Sequence, residues 1–197
     1  MPASQREVTR GDLLPDKEFA DVRKERRTQL LPIKKLRRIA LGPYCTFYFE
    51  NFDTMLFQIQ EMLLIEKGGE AQITDELAAY NPLIPKGREL VATVMFEIED
   101  SVRRARLLGS LGEVETHFYF QVGDQRVPGV PESDTERSRE DGKTSSVHFL
   151  RFGFTPNQIA AFRSGSDQVL IGCDDARYPH LAVLSAEARA ELAKDFV

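Results

Sequence analysis

Long apolar runs are missing from this 197-residue chain: no stretch approaches the roughly 20 apolar residues that a membrane-spanning helix requires. The opening "MPASQREVTRGDLLPDKEF" is polar and acidic where a signal peptide would carry an apolar centre, so the sequence reads as cytoplasmic. Cysteine is scarce. Cys45 and Cys173 are the only two, too far apart in sequence for a C-x-x-C redox pair and too few for a secreted disulfide framework. Both read as free thiols of a reducing compartment, either small buried hydrophobes or, for Cys173 beside Asp174 and Asp175, a reactive or ligating group. Histidine is equally rare: with only His117, His148 and His180, an imidazole-based metal site would need most of the supply.

The familiar catalytic fingerprints are absent too. There is no G-x-x-x-x-G-K-[ST], no G-x-G-x-x-G after a strand, no G-x-S-x-G elbow and no H-E-x-x-H. Phosphate-loop chemistry, dinucleotide binding, elbow-type serine hydrolysis and zincin chemistry all lose support, and no internal repeat suggests a solenoid.

What is present is the composition of an ordinary globular protein, 42% hydrophobic and 29% charged, with thirteen Phe. The length suits one domain. Net charge is −5, but Arg23 to Arg38 ("RKERRTQLLPIKKLRR") holds eight Lys or Arg against one Glu, a local +7 that leaves −12 on the remainder. Such a segment is either a solvated helix face paired with the chain's own carboxylates or a grip for an acidic partner. A sequence pI near 5.4 and the lack of interleaved aromatics argue against nucleic acid.

Along the chain, Asp12 to about Arg38 reads as one or two helices, with Asp12 as N-cap and Pro32 interrupting or kinking the run. "IALGPYCTFYFEN" is β-rich, with a turn or bulge at Gly42-Pro43. Asp53 or Thr54 caps a helix ending at Gly68-Gly69, and Thr74 opens a shorter one running into "NPLIP". "ELVATVMFEIED" alternates as a strand, "SVRRARLLGSLG" is a basic helix, and "ETHFYFQVGDQRVPGV" is a strand pair around Gly123-Asp124. Pro131 to Lys143 reads as a mobile loop or exposed helix, and residues 1–11 as lacking fixed structure. Thr155 with Pro156, and Ser185, mark the starts of two further helices flanking the strand "SDQVLIGCDD". The fold class expected is α+β: a single domain over 1–197, with a mostly antiparallel or mixed sheet of about five strands and helices packed on it.

"TSSVHFLRFGF" reads as a strand covered on both sides, because His148, Leu150, Phe152 and Phe154 share one face and Val147, Phe149 and Arg151 the other. His148 and Arg151 therefore point opposite ways, and each needs a partner. An unpaired buried guanidinium costs several kcal/mol, so Arg151 should meet a carboxylate, Glu97 or Glu50 being the first choices. On the helix "FQIQEMLLIEKGG", Gln58 and Glu61 stand one turn apart, which leaves a divalent metal held by Glu61 and His148 geometrically open. Tyr80 and Asn81 begin the rigid "YNPLIP" turn, a suitable site wall.

With these segments in view, "RRIALGP", "FEN", "QIQEML", "ELAAYNPLIP", "TSSVHFLRF" and "IGCDDARY", in that order, resemble the bacterial domain-of-unknown-function family 3501. The resemblance spans roughly Asp12 to the C-terminus and implies no particular activity. It implies redox company, since members are often encoded beside rubrerythrin-like and iron-sulfur proteins, and it implies a histidine where this chain has Asp175.

Three functions are consistent with these features. The first is an accessory partner of redox proteins that holds a small anion, metal or partner side chain in a pocket of His148, Arg151, Glu61 and Tyr80, with Arg38, Glu50, Gln58, Asn81 and Glu97 as further binding residues. The second is an enzyme with His148 as general acid or base and Arg151 or Arg38 orienting an anionic substrate. The third is an interaction module docking an acidic protein through the 23–38 segment.

Overall fold

The structure is a computed structural model, and it describes residues 2–132 and 144–197. Its chain order is α1 (Asp16–Leu36), β1 (Arg38–Leu41), β2 (Cys45–Phe49), α2 (Phe52–Glu66), α3 (Gly69–Tyr80), β3 (Glu89–Phe96), α4 (Ser101–Ser110), β4 (Phe118–Val122), β5 (Gln125–Pro131), β6 (Val147–Gly153), α5 (Pro156–Ser164), β7 (Val169–Cys173), β8 (His180–Val183) and α6 (Ala186–Leu192). Short 3-10 turns fill several of the joints.

The fold is α+β, but the sheet has eight strands rather than about five, in the order β1-β2-β3-β6-β5-β4-β7-β8. Every pairing is antiparallel. β1 and β8 approach each other at the seam, so the sheet curls into a nearly closed barrel. Two features account for the undercount. Gly42-Pro43 is a hairpin turn rather than a bulge, splitting one β-rich run into β1 and β2, with Gly42 in the left-handed region at φ 66°. β8 is only four residues long and takes its place from β7, not from a pattern of its own.

Alternation decides what each strand face meets. Leu90, Ala92, Val94 and Phe96 of β3 and Leu150 and Phe152 of β6 line the interior with Phe47, Phe49, Phe118 and Phe120. Phe120 meets Phe152 edge-on at 4.9 Å and Phe47 meets Phe118 edge-on at 5.2 Å, while Phe47 and Phe49 stack at 6.0 Å. Phe162 of α5, Leu192 of α6 and Phe196 extend this cluster, as do Leu108 of α4 and Leu111. On the outer face of β3, Val91 packs with Met55, Ile59 and Leu63 of α2 and with Val8, Leu83 and Ile84.

α1 is one helix of 21 residues with Pro32 inside it, the one-helix alternative of the sequence reading. Its N-cap is Pro15, not Asp12, and it packs on α2 through a narrow stripe in which only Phe19 and Leu30 are buried. α2 is capped by Asn51, whose side chain accepts from the Thr54 amide at 2.9 Å while Thr54 reciprocates, and it closes at Glu66. α3 begins at Gly69, five residues before Thr74. The capped starts at Thr155 and Ser185 are present as read. The N-terminal segment is tied down around Val8, which is buried and whose backbone N–H and C=O both pair with the Asn81 side-chain amide, at 2.8 and 2.9 Å. Of the Pro131 to Lys143 segment, Pro131 ends β5, the Glu132 amide donates to Phe149, and residues 133–143 lie outside the described residues.

Candidate functional site

The structure separates the polar residues singled out in the sequence. His148 points into the barrel with 0% exposure; its Nε2 lies 2.9 Å from the Ser145 carbonyl and 3.2 Å from the Thr144 hydroxyl, and Nδ1 is 3.8 Å from Glu115. Arg151 leaves the opposite face of β6. It pairs with Glu89 rather than Glu97 or Glu50, approaches Glu132 at 3.9 Å and donates to the Pro82 carbonyl at 2.6 Å. Register explains the choice, because Arg151 stands opposite Val91 on β3 and its long side chain reaches the strand start where Glu89 sits.

Glu61 is taken by Arg23 of α1 in a two-pronged pair, both contacts at 2.6 Å, and so braces α1 on α2 instead of meeting His148. Gln58 lies partly buried on α2, outside these contacts, whereas the neighbouring Gln60 is buried and its amide pairs with the N–H and C=O of Leu14. Tyr80 packs against the Val8 cluster, and Asn81 is the clamp on Val8. His148, Arg151, Glu61 and Tyr80 therefore share no crevice. Among the described residues, no group of three or more His, Cys, Asp or Glu side chains is arranged to hold a metal ion, and the Glu61 and His148 pairing is not formed.

Arg38 and Glu97 do meet, on the outer face of β1, β2 and β3. Arg38 approaches Glu97 at 3.2 Å and stacks over the Tyr48 ring at 5.3 Å, while the Tyr48 hydroxyl donates to Glu97 at 2.7 Å. Burial works to raise the Glu97 carboxyl, but bonds from Thr46, Tyr48 and Arg38 hold it below its ordinary value. The Tyr48 phenol, partly buried and tied to that carboxylate, is pushed up to about 12.

One position earlier, Arg37 has the opposite fate. Its side chain is 1% exposed, and its guanidinium donates to the carbonyls of Phe49 and Glu50, both at 2.9 Å, and pairs with Asp195 and, at 3.5 Å, with Glu191. Glu50 turns its carboxylate to Thr54 and Thr93, each hydroxyl donating at 2.8 Å. Burial pushes both the Glu50 and Asp195 carboxyls above their ordinary values. This node was not legible in the sequence, where Arg37 is one basic residue in a basic run.

Of the eight cations between Arg23 and Arg38, Arg23, Arg37 and Arg38 are thus committed internally. Among the described residues, Lys24, Arg26, Arg27, Lys34 and Lys35 form no ion pair. Lys24, Arg27, Lys34 and Lys35 are exposed and, at spacings of three, seven and one along α1, share one flank of the helix. Leu31 sits among them, 56% exposed.

Residues 7–196 match the model of a family described as "Protein of unknown function (DUF3501)". The chain belongs to this family. No curated protein matches it. A solved structure similar to this DUF3501 chain is a novel protein of unknown function from Burkholderia pseudomallei K96243, 36% identical, with a TM-score of 0.89 over 96% of this chain and 99% of that one. In this DUF3501 chain Asp175, where a histidine was expected, is buried and bound by Arg177, which holds the carboxylate below its ordinary range. Arg177 also donates to the Ser110 and Gly112 carbonyls at 2.9 and 2.7 Å, so Asp175 serves to fasten the end of α4. No helix among the described residues is long and apolar enough to cross a membrane.

Proposed function

We propose that this chain is a cytoplasmic accessory protein that docks an acidic protein through the exposed basic flank of α1. The observation that carries the reading is the set of four cations, Lys24, Arg27, Lys34 and Lys35, that form no ion pair among the described residues, on a helix held to the body by a narrow apolar stripe. A folded protein of net −5 has carboxylates to spare, yet among the described residues none of them forms an ion pair with these four cations. A rim of uncommitted like charges speeds encounter with an oppositely charged surface and selects against basic or neutral mismatches. Leu31, central in the flank, gives that surface an apolar contact which a phosphate backbone would not use. The redox company implied by the family supplies the partner class: an acidic redox protein, with a rubrerythrin-like protein encoded alongside as the first to test.

Complex formation is measured by calorimetry between the purified chain and that partner at low salt, and again at about 0.5 M, where the screening length is only about 4 Å. Binding that fades with salt, and that disappears in Arg27→Glu/Lys34→Glu, is expected. A complex indifferent to both changes, or the same flank binding duplex DNA or anionic vesicles more tightly than any acidic protein, defeats the reading.

A further inference from the structure

A second surface, independent of α1, is built at the β1–β2 turn. α4 carries Val102, Arg103, Arg106, Leu107 and Ser110 on one face, which with Tyr44 lines a cleft of about 420 Å³. That is within the range of small-molecule sites. Both walls are held firmly. The Tyr44 amide donates to the buried Tyr178 hydroxyl at 3.1 Å and its carbonyl accepts from the Glu97 amide at 2.7 Å, so the ring projects from a fixed backbone. α4 is braced at its start by Arg104 on the Ile98 carbonyl and at its end by Arg177 on Ser110.

The charges in the cleft are not balanced. The Asp100 carboxylate is used in capping the helix, accepting from the Arg103 amide at 2.6 Å. Neither Arg103 nor Arg106 forms an ion pair among the described residues, and the Arg103 guanidinium lies over the Tyr44 ring, 6.0 Å from its centroid. Val102 is 68% exposed beside them. Two guanidiniums, an aromatic face and an apolar patch, all on rigid supports, are the components that recognise a flat anion: the guanidiniums take the charge in forked hydrogen bonds, and the ring and aliphatic groups take the body.

We propose that this cleft binds a small anion carrying a flat ring, with its charged group on Arg103 and Arg106 and its ring against Tyr44, Val102 and Leu107. The charged group is a carboxylate or a phosphate, two sources that the same guanidiniums recognise.

The test is calorimetric titration of the whole chain with 4-hydroxybenzoate and with adenosine monophosphate, using acetate and inorganic phosphate as their ringless counterparts. Saturable one-site binding of at least one ring-bearing anion is expected, with the ringless counterpart about tenfold weaker or more. The tighter of the two ring-bearing anions identifies the charged group. Arg103→Ala/Arg106→Ala should weaken binding about tenfold or more with an unchanged melting temperature, since both side chains are exposed. Tyr44→Phe should bind as the parent does and Tyr44→Ala should not. Absence of saturation by about 10 mM for both ring-bearing anions, equal affinity for the ringless ones, or full binding by the double arginine variant would each overturn the proposal.

Discussion

Arg37 and Asp195, 158 residues apart in sequence, form a buried ion pair that fastens the C-terminal turn after α6 to the junction of α1 and β1. Because the same guanidinium also donates to the Phe49 and Glu50 carbonyls, one side chain joins the helix end, the end of β2 and the last turn of the chain. Pairs of this kind matter most when they are half removed, since the surviving charge keeps its desolvation cost and loses its partner.

Arg37→Met is accordingly expected to destabilise the protein by about 3–5 kcal/mol, read from urea denaturation. Arg37→Met/Asp195→Asn should recover part of that loss, because the stranded carboxylate is then neutral. A single variant within about 1 kcal/mol of the parent would show that the node contributes little.

Glu50 gives a pH dependence with a definite sign. Its folded-state pKa lies above the ordinary 4.5, chiefly through burial. The folded protein therefore holds that proton more tightly than the unfolded chain, and this contribution is complete below about 4.5 and lost as pH rises through the folded value. Glu50→Gln, which never ionises, should gain stability relative to the parent as pH climbs from about 4 to 7. Paired denaturation curves across that range check it, and a constant difference would contradict it.

At the barrel seam, Gly42 adopts φ 66° and a Cβ placed there would stand 2.4 Å from the His180 ring. Gly42→Ala should cost more than the roughly 1–2 kcal/mol of left-handed backbone alone. In a His180→Ala background the cost should shrink by about 0.5–3 kcal/mol, the coupling expected of residues in contact. Additive effects in that double-mutant cycle would place the turn away from the ring.

The two thiols should be inert. Cys45 and Cys173 are buried, and burial raises both, Cys173 to about 11, so the reactive thiolate is rare at neutral pH. An aromatic disulfide reagent at pH 7.5 is expected to count no thiol in the native protein and two after denaturation. Rapid native labelling of either would contradict the burial.

Periodicity made part of this legible. The period-2 alternation of β3 and of β6 places His148 and Arg151 on opposite faces, as the structure has them, and Thr155 and Ser185 start helices because each offers a hydroxyl to an amide three residues on. Partner choice was not legible. Arg151 pairs with Glu89 and Glu61 with Arg23, pairings set by strand register and by how α1 lies on α2, and neither leaves a local trace.

The sequence by itself determined the residue classes: a globular α+β chain with a basic first helix, few histidines, and strands oily on both faces. Strand number, barrel curvature and the separation of the polar residues were decided by the tertiary structure alone. Two adjacent arginines carry the reason. Arg37 ends a helix facing the interior and Arg38 begins a strand facing outward, so one is sealed and the other exposed although the chain gives them the same neighbours. Local pattern reports what a side chain prefers; the packing of distant elements sets which carboxylate it meets.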